Sequence, residues 1–454
     1  MFYRNLIAIA VLALLNVLEC GVASAQTPTD EQEYVPFEEE QAREVQELRR
    51  LASAGDPDGQ VSLATKYFLG LGVEKDDVEA LKLYIQAGNQ GHAGGQYMAG
   101  MFYSGGRGTP PDDAEAARWF LLSAESGRVD AQAIVGELYQ TGRGVEQDYD
   151  EAFRWYLLAA QEGDAGAQYS LGRMYNLGSG IPKDMDEVLK WYYLSAEQGD
   201  DRAQFNLGAI LYYGFEVDQD LTEAIKWLRL AAEQEHYLAP GMLAKIFANG
   251  EGVPQSDTEA LKWYRVAAAQ GHANAQLELS RYYLRGEVVP EDASEAMEWA
   301  LLAAEQEHVD AQLAVGAAYM AGLGVPQNYV EAAKWLRLAA EAGHPEAQFY
   351  LAMLYTEGSG LPQNDVEAFK WFSLSAKSGI ISAQTSLARS YALGRGVSKD
   401  LLRAYSWASI ASIPGDESAN ELKSVISKLM SGEQITNAQK LSTKCWESGF
   451  EECD

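Results

Sequence analysis

Residues 131–166 read AQAIVGELYQTGRGVEQDYDEAFRWYLLAAQEGDAG, and this stretch decides the fold because its pattern recurs along most of the chain. Ala131, Val135, Gly136 and Tyr139 follow helical spacing and predict a first helix. Glycines then predict a turn, since glycine readily adopts the backbone angles of a helix end. A second periodic segment with an apolar stripe follows before the next glycine. The stretch therefore predicts a pair of helices.

The pair repeats every 36 residues, with ten copies between Gly59 and Ser418 and no insertion or deletion. A glutamine marks the same phase in nine copies, and Pro240 replaces it in the sixth. The glutamines are Gln60, Gln96, Gln132, Gln168, Gln204, Gln276, Gln312, Gln348 and Gln384. A strict period of this length indicates stacked supersecondary units rather than a globular domain.

Each second helix begins with a residue that favours the N-cap position. These residues are Asp76, Asp112, Asp148, Asp184, Asp220, Ser256, Asp292, Asn328, Asn364 and Asp400. Glutamate follows three residues later in nine copies, with Arg403 as the exception, and this spacing predicts a capping box. Each cap contributes about 1 kcal/mol, so the caps help to fix the register of the array.

A tryptophan recurs at one position of the second helix from Trp119 to Trp407, and Leu83 takes that place in the first copy. We interpret this ladder as core packing rather than ligand stacking, because apolar stripes at helical spacing are usually buried. The five histidines, His92, His236, His272, His308 and His344, also share one repeat position, after the second helix. We expect turn residues there and no metal site, since equivalent positions in stacked repeats lie about 10 Å apart.

The flanks of the array predict three further segments. Arg4, the apolar run of residues 6–18 and the Ala-Ser-Ala sequence that ends at Ala25 predict a signal peptide over residues 1–25. Residues 26–58 are expected to form an acidic lead and an N-terminal capping helix. Residues 59–418 are the repeats, and residues 419–454 are expected to form a C-terminal helical cap that closes the exposed apolar end.

Removal of residues 1–25 also removes Cys20 and leaves Cys445 and Cys453. An even pair in an exported chain is a candidate disulfide. On one continuous helix the two residues would lie too far apart, so the pairing requires that Gly449 end the helix.

The repeat pattern, Ala-Gln-x-x-Leu-Gly-x-x-Tyr-x-x-Gly-x-Gly-Val followed by Asp-x-x-Glu-Ala-x-x-Trp-Tyr, resembles the Sel1-like repeat of the tetratricopeptide-repeat superfamily. The resemblance implies an all-α, right-handed α/α superhelical solenoid of ten helix-pair repeats with helical caps. It also implies adaptor, regulator or assembly roles, or contact with host proteins. One cysteine-rich branch has been linked to penicillin binding, but this sequence lacks cysteine in every repeat.

Composition excludes several function classes. The net charge of −31 argues against nucleic-acid binding and against docking on anionic lipid. No apolar segment beyond the signal peptide is long enough to insert into a membrane. The Gly-x-Gly loops lack the Lys-Ser/Thr of a phosphate-binding loop, and neither a G-x-S-x-G motif nor a Cys/His pair is present. We therefore expect no enzyme activity and no cofactor.

In tetratricopeptide-like arrays the first helices line a concave groove, and this geometry predicts the partner-binding residues. The predicted basic residues are Arg173, Lys245, Arg281, Arg285 and Arg389, and the predicted aromatic residues are Tyr97, Tyr169, Phe205 and Phe349. We hypothesise that Lys245, Arg281 and Arg285 grip a carboxylate of a peptide. The alternative is ordinary ion pairing to a neighbour such as Glu278.

The sequence favours a non-enzymatic protein-interaction scaffold or regulator in a bacterial periplasm, with a protein or peptide as partner. The first alternative is a secreted factor that binds host proteins. The second is a cell-wall or β-lactam-related enzyme. The sequence identifies neither the partner nor the oligomeric state.

Overall fold

A computed structural model describes residues 37–412, 416–450 and 452–453, and the predicted signal peptide lies outside the described residues. Within them the chain forms 23 α-helices and no strand. In chain order these are α1 Phe37–Ser53, α2 Pro57–Leu69, α3 Asp77–Asn89, α4 Ala93–Gly105, α5 Asp113–Glu125, α6 Val129–Thr141, α7 Tyr149–Gln161, α8 Ala165–Leu177, α9 Met185–Glu197, α10 Asp201–Tyr213, α11 Leu221–Glu233, α12 Ala239–Asn249, α13 Asp257–Ala269, α14 Ala273–Arg285, α15 Ala293–Glu305, α16 Val309–Ala321, α17 Tyr329–Glu341, α18 Pro345–Glu357, α19 Asp365–Lys377, α20 Ile381–Leu393, α21 Leu401–Ala411, α22 Glu417–Ser427 and α23 Gly432–Glu447.

The chain divides into two compact units, one up to Asp148 and one from Tyr149 onward. Within each unit the repeat helices pack on the next helix in sequence, so each unit is a stack of consecutive helix pairs, and the last two helices, α22 and α23, both pack on α21. The even-numbered helices from α2 to α20 are the first helices of the repeats, and the odd-numbered helices from α3 to α21 are the second helices. This confirms the predicted all-α solenoid of repeated pairs. No helix in the described part of the chain is long and apolar enough to span a bilayer.

The second helices begin where the sequence predicts. The N-cap side chain accepts hydrogen bonds from backbone N–H groups of the first turn in nine repeats, for example at Asp76, Ser256 and Asn328. The capping box predicted for these helices is wrong for the glutamate, however. Glutamates such as Glu187 pair instead with a cation three residues on, here Lys190, at 2.9 Å. The backbone N–H of the N-cap residue is already engaged, because it donates to a carbonyl near the end of the preceding first helix, for example from Asp76 to Tyr67 at 3.0 Å.

The tryptophan ladder packs in the core as predicted. Six of its rings are buried, namely Trp119, Trp191, Trp227, Trp263, Trp371 and Trp407, and the other three are half-buried. Lysine and arginine side chains of the preceding position lie over several of these rings, with Lys190 at 4.7 Å from the ring of Trp191. The second helix of each repeat is therefore fixed both by its cap and by its tryptophan.

The repeated glutamines are buried and tie each repeat to its neighbours. The amide nitrogen of Gln168 donates to the carbonyl of Ala160 at 3.1 Å, and its amide oxygen accepts from Gln198 at 2.8 Å. The same donor bond, always to the carbonyl eight residues earlier, recurs at all nine glutamines. A buried carbonyl without such a donor would lose hydrogen-bonding energy, so the ladder explains this strict repeat.

The C-terminal segment folds as two helices, and a capping box of Ser431 and Gln434 opens the second one. That helix ends before Gly449, whose φ of +63° turns the tail back. The tail brings Cys453 to a Cα–Cα distance of 4.5 Å from Cys445, and the two form a disulfide. The segment boundaries at residues 58 and 418 stay predictions.

Candidate functional site

The aromatic residues predicted to line a groove are each the third residue of their repeat, counted from Gly59 and its equivalents, and the structure places their rings against other rings of the repeats. Tyr97 is buried, and its ring lies 5.8 Å from that of Phe120. Tyr169 is half-buried and stacks on Tyr192 at the same distance. The third residue points inward because it faces the second helix of its own repeat, where its contact lies 23 residues on.

The other two predicted aromatic residues are also engaged within the repeats. Phe349 is half-buried, with its ring centroid 5.9 Å from that of Phe372. Phe205, also half-buried, stacks on His236 at 4.4 Å. Burial beneath the ring lowers the pKa of His236, although Asp201 and Asp200 oppose that effect. These four aromatic residues therefore serve first as packing within and between repeats.

The repeat that contains Pro240 lacks this packing. Its third residue is Gly241, where a Cβ atom would meet nothing within 4 Å. The residue 23 positions on is Tyr264, which by register should carry the missing contact. Its ring instead tilts against Tyr282 of the next repeat, at 5.9 Å. An open groove results where neighbouring repeats are filled.

The groove has a volume of about 770 Å³ and lies between the first helices α12 and α14. Lys245 and Arg285 line it, so the structure brings two of the three predicted carboxylate-binding residues together. Both side chains are exposed, and neither has an ion-pair partner within 4.0 Å among the described residues. Such unpaired cations are available to an anion.

The third predicted cation is already paired. Arg281 forms an ion pair with Glu278 on the same helix, which is the alternative that the sequence left open. Arg173 lies over the ring of Tyr169 at 5.9 Å and belongs to a different repeat from the groove. Arg389 is exposed in α20, far along the sequence from the groove helices. The cationic part of the site is therefore Lys245 with Arg285.

Two tyrosines form part of the groove wall and stay protonated at neutral pH. Burial raises the pKa of Tyr264 to about 12, and the nearby carboxylate of Glu278 adds to the shift. Burial also raises the pKa of Tyr282, whose hydroxyl donates to Asp257 at 3.2 Å. The groove wall therefore combines two cations that have no ion-pair partner among the described residues, Lys245 and Arg285, with neutral tyrosine rings and with the carboxylates of Asp257, Glu278 and Glu287. Of these carboxylates, Asp257 accepts from Tyr282 and Glu278 pairs with Arg281.

Helix α12 begins two residues later than the other first helices, at one end of the groove. Regular first helices begin at the residue equivalent to Tyr237, whereas α12 begins at Ala239 with no side-chain cap. Tyr237 and Leu238 are left outside the helix with exposed fractions of 53% and 48%. Because Pro240 has no side-chain amide, Gln270 donates instead to the carbonyl of Glu235 at 3.2 Å.

The histidines cap helices or contact neighbouring rings. His92, His308 and His344 act as N-caps of the following first helix, with Nδ1 accepting from a backbone N–H. The Nε2 atom of His92 lies 3.0 Å from a carboxylate oxygen of Asp58 in the preceding repeat. Across the described residues, no group of three or more His, Cys, Asp or Glu residues could hold a metal ion.

Sequence reasoning missed Gly241, Tyr264 and the histidine caps. A comparison of third residues would have found the first, since glycine occurs there in this repeat alone, whereas Tyr, Phe or Leu occupies six others. The histidine caps carried a weaker signal, because aspartate takes their place at Asp164 and Asp200 and accepts the same bond.

The comparisons with known proteins agree with this architecture. A family model described as "Sel1 repeat" matches residues 57–92, 93–127, 129–164, 165–200, 201–236, 242–272, 273–308, 309–344, 345–380 and 381–413. The matched ranges leave out residues 237–241, and this gap coincides with the late start of α12. A search of curated proteins finds no match.

Two solved structures are similar over most of the chain. One is a protective antigen present in uropathogenic Escherichia coli strains, described as displaying an SLR fold. It is 28% identical, with a TM-score of 0.63, and the match covers 89% of this chain and 96% of that one. The other is a Sel1 repeat protein from Oxalobacter formigenes, 28% identical with a TM-score of 0.55, covering 75% and 99%.

Proposed function

Because the chain belongs to the Sel1 repeat family, whose members commonly bind proteins, we propose that it is a non-enzymatic scaffold or regulator that holds a protein partner in the bacterial periplasm. One observation carries the proposal. The groove between α12 and α14 presents Lys245 and Arg285 without ion-pair partners, in a chain whose net charge is −31. In such an acidic chain, cations of this kind favour a carboxylate of the partner.

Crosslinking in cells followed by capture of the full-length chain tests the partner and its site together. The variant is Lys245→Glu with Arg285→Glu. The matched control is Lys183→Glu with Lys399→Glu, which makes the same change of charge at two other exposed lysines. We expect a dominant partner that the variant loses and the control keeps. Equal capture by wild type and variant would contradict the site, and capture of no protein would contradict the scaffold.

The periplasmic location rests on the predicted signal peptide and on the cysteine pair. We expect the mature chain to begin at Gln26 and to resist thiol labelling until it is reduced, because disulfides persist in oxidising compartments. Cell fractionation with mass spectrometry of the N-terminus measures both properties. A chain that keeps Met1 and has free thiols at Cys445 and Cys453 would contradict export.

A secreted factor that contacts host proteins is the second candidate. Its support is the similarity to the protective antigen of uropathogenic Escherichia coli. The same fractionation separates the two candidates, because a secreted chain accumulates in the medium whereas a periplasmic one is released only by osmotic shock.

A further inference from the structure

We propose that the groove accepts an aromatic side chain of the partner polypeptide, which packs on Tyr264 above Gly241, while Lys245 and Arg285 hold a carboxylate close to that side chain. This inference rests on the proposed function, since it specifies which feature of the partner the groove recognises. The partner would supply the ring contact that the repeats of Tyr97, Tyr169 and Phe349 make within themselves.

The repeat register identifies the ring contact that is missing at Gly241. In the repeats of Tyr169 and Phe349 the third residue forms a ring pair with the residue 23 positions on, at 5.8 and 5.9 Å. The equivalent positions in the groove repeat are Gly241 and Tyr264. The ring of Tyr264 is thus present at its usual register while the facing ring is missing. Aromatic pairs at this separation are worth about 0.5–1.5 kcal/mol beyond burial of their area.

The space next to Gly241 is open. A Cβ atom on Gly241 would meet nothing within 4 Å, although most glycines inside other first helices face atoms closer than that. The groove volume of about 770 Å³ falls within the range of roughly 300–1,000 Å³ that is typical of ligand sites. An aromatic side chain therefore fits without displacement of the backbone.

The positions of the cations define what must stand beside the aromatic side chain. Lys245 lies one helical turn beyond Gly241 and on the same face, so its Cβ atom lies about 6 Å from the place that a Cβ atom on Gly241 would take. Arg285 holds the repeat position of Asn249, two turns beyond Gly241. At about 3.3 Å per extended residue, a carboxylate one to three residues after the aromatic residue would reach both cations.

The extent of the groove favours a polypeptide over a free amino acid. Helix α12 has 11 residues and is therefore about 16 Å long, which is the span of about five extended residues. Leu238 lines the end away from Arg285 and is 48% exposed. A free aromatic amino acid would leave that apolar end uncovered.

Fluorescence anisotropy with a labelled peptide tests the inference. The probe is Ser-Ser-Phe-Ser-Asp-Asp with a fluorophore at its N-terminus and a free C-terminal carboxylate. Two control peptides replace Phe by Ser, or both Asp residues by Asn with an amidated C-terminus. We expect each control peptide to bind the full mature chain at least tenfold more weakly than the probe.

The decisive variant is Gly241→Phe, which restores the ring pair within the chain and fills the groove. We expect it to weaken binding of the probe at least tenfold and to melt at or above the wild-type temperature. Gly241→Ala is its matched control, since it also removes a helical glycine but leaves the space open, and we expect binding within threefold of wild type. If Gly241→Phe does not fold, Tyr264→Leu, which removes the platform, is expected to give the same loss.

Other results would overturn the inference in distinguishable ways. If Gly241→Phe binds the probe as wild type does, or if the Phe-to-Ser peptide binds equally well, the aromatic site is wrong. If free phenylalanine competes as well as the unlabelled peptide at equal concentration, the polypeptide partner is wrong. Loss of the cellular partner in the Lys245→Glu, Arg285→Glu variant, with full capture by Gly241→Phe, would overturn the inference alone and keep the proposed function.

Discussion

The repeats of residues 167–202 and 239–274 have the same length and similar second helices, but their first helices differ. The regular repeat has a buried glutamine and a tyrosine at positions where the other has Pro240 and Gly241. The turn before the regular repeat contains Gly163, whereas Glu235 holds that place with a φ of +62° before the other. The second helix thus preserves the period, and the first helix can diverge. Divergence there opens a site without a change in repeat length.

Creating the same vacancy in the regular repeat should produce the largest effect. Tyr169→Gly removes a ring that packs on Tyr192 and puts a glycine inside a helix. We expect a loss of about 3 kcal/mol in the free energy of unfolding. Urea unfolding measures it, with Tyr169→Phe as the control that keeps the ring. A loss below about 1 kcal/mol would mean that the third residue is not a structural contact.

Breaking and rebuilding the glutamine ladder should have the next largest effects. Gln168→Leu removes two buried hydrogen bonds, one to the carbonyl of Ala160 and one from the amide of Gln198, and we expect a loss of about 2 kcal/mol. Pro240→Gln should gain about 1 kcal/mol, because it offers a donor to the carbonyl of Ala232. Urea unfolding of both variants checks the pair. A destabilised Pro240→Gln variant would show that proline itself stabilises the start of α12.

The turn glycines test the comparison on a smaller scale. Gly199 has a φ of +93°, so Gly199→Ala should destabilise the chain by about 1 kcal/mol. Glu235→Gly should stabilise it by about 0.5 kcal/mol, since glycine adopts a positive φ without strain but also gains entropy in the unfolded state. Thermal melting at pH 7.5 measures both changes in stability. If both variants were stabilised, or both destabilised, the positive φ at these turns would not explain the preference for glycine.

The smallest effect concerns pH at the joint before the groove repeat. Because burial against Phe205 lowers the pKa of His236, the folded state favours the neutral ring. Stability is therefore full above the ordinary histidine pKa of about 6.5 and falls as the pH drops below it. We expect His236→Gln to lose less stability than wild type between pH 7.5 and 5.5. A steeper loss in the variant would reverse this sign.

The features that the sequence predicted well are those with a local cause. The N-cap at Asp184 and the end of α23 before Gly449 follow from backbone chemistry within a few residues, and both appear in the structure. The buried tryptophans follow from helical spacing. The direction of Tyr97 and Tyr169 was not predictable in this way, because it depends on how two helices face each other across a loop.

The candidate site was predicted only in part, for a related reason. The charges of Lys245 and Arg285 are visible in the sequence. Whether Arg281 is available to a ligand depends on its ion pair with Glu278 on the same helix, and that pair is seen only in the structure. The groove itself arises from an absent side chain at Gly241. A missing side chain does not show in a pattern of apolar residues. It is found only when Gly241 is compared with the equivalent residues of the other repeats.

The glutamine ladder also has a consequence for how the second unit comes apart. Each repeat is hydrogen-bonded to its neighbours through these buried amides, so unfolding should spread from one repeat to the next. At Pro240 the side-chain amide, and with it this hydrogen bond, is missing. Amide hydrogen exchange should therefore divide the unit into two blocks that open separately on either side of residues 235–240, with the fastest exchange at that junction. Uniform protection across the junction would show that the two blocks melt together.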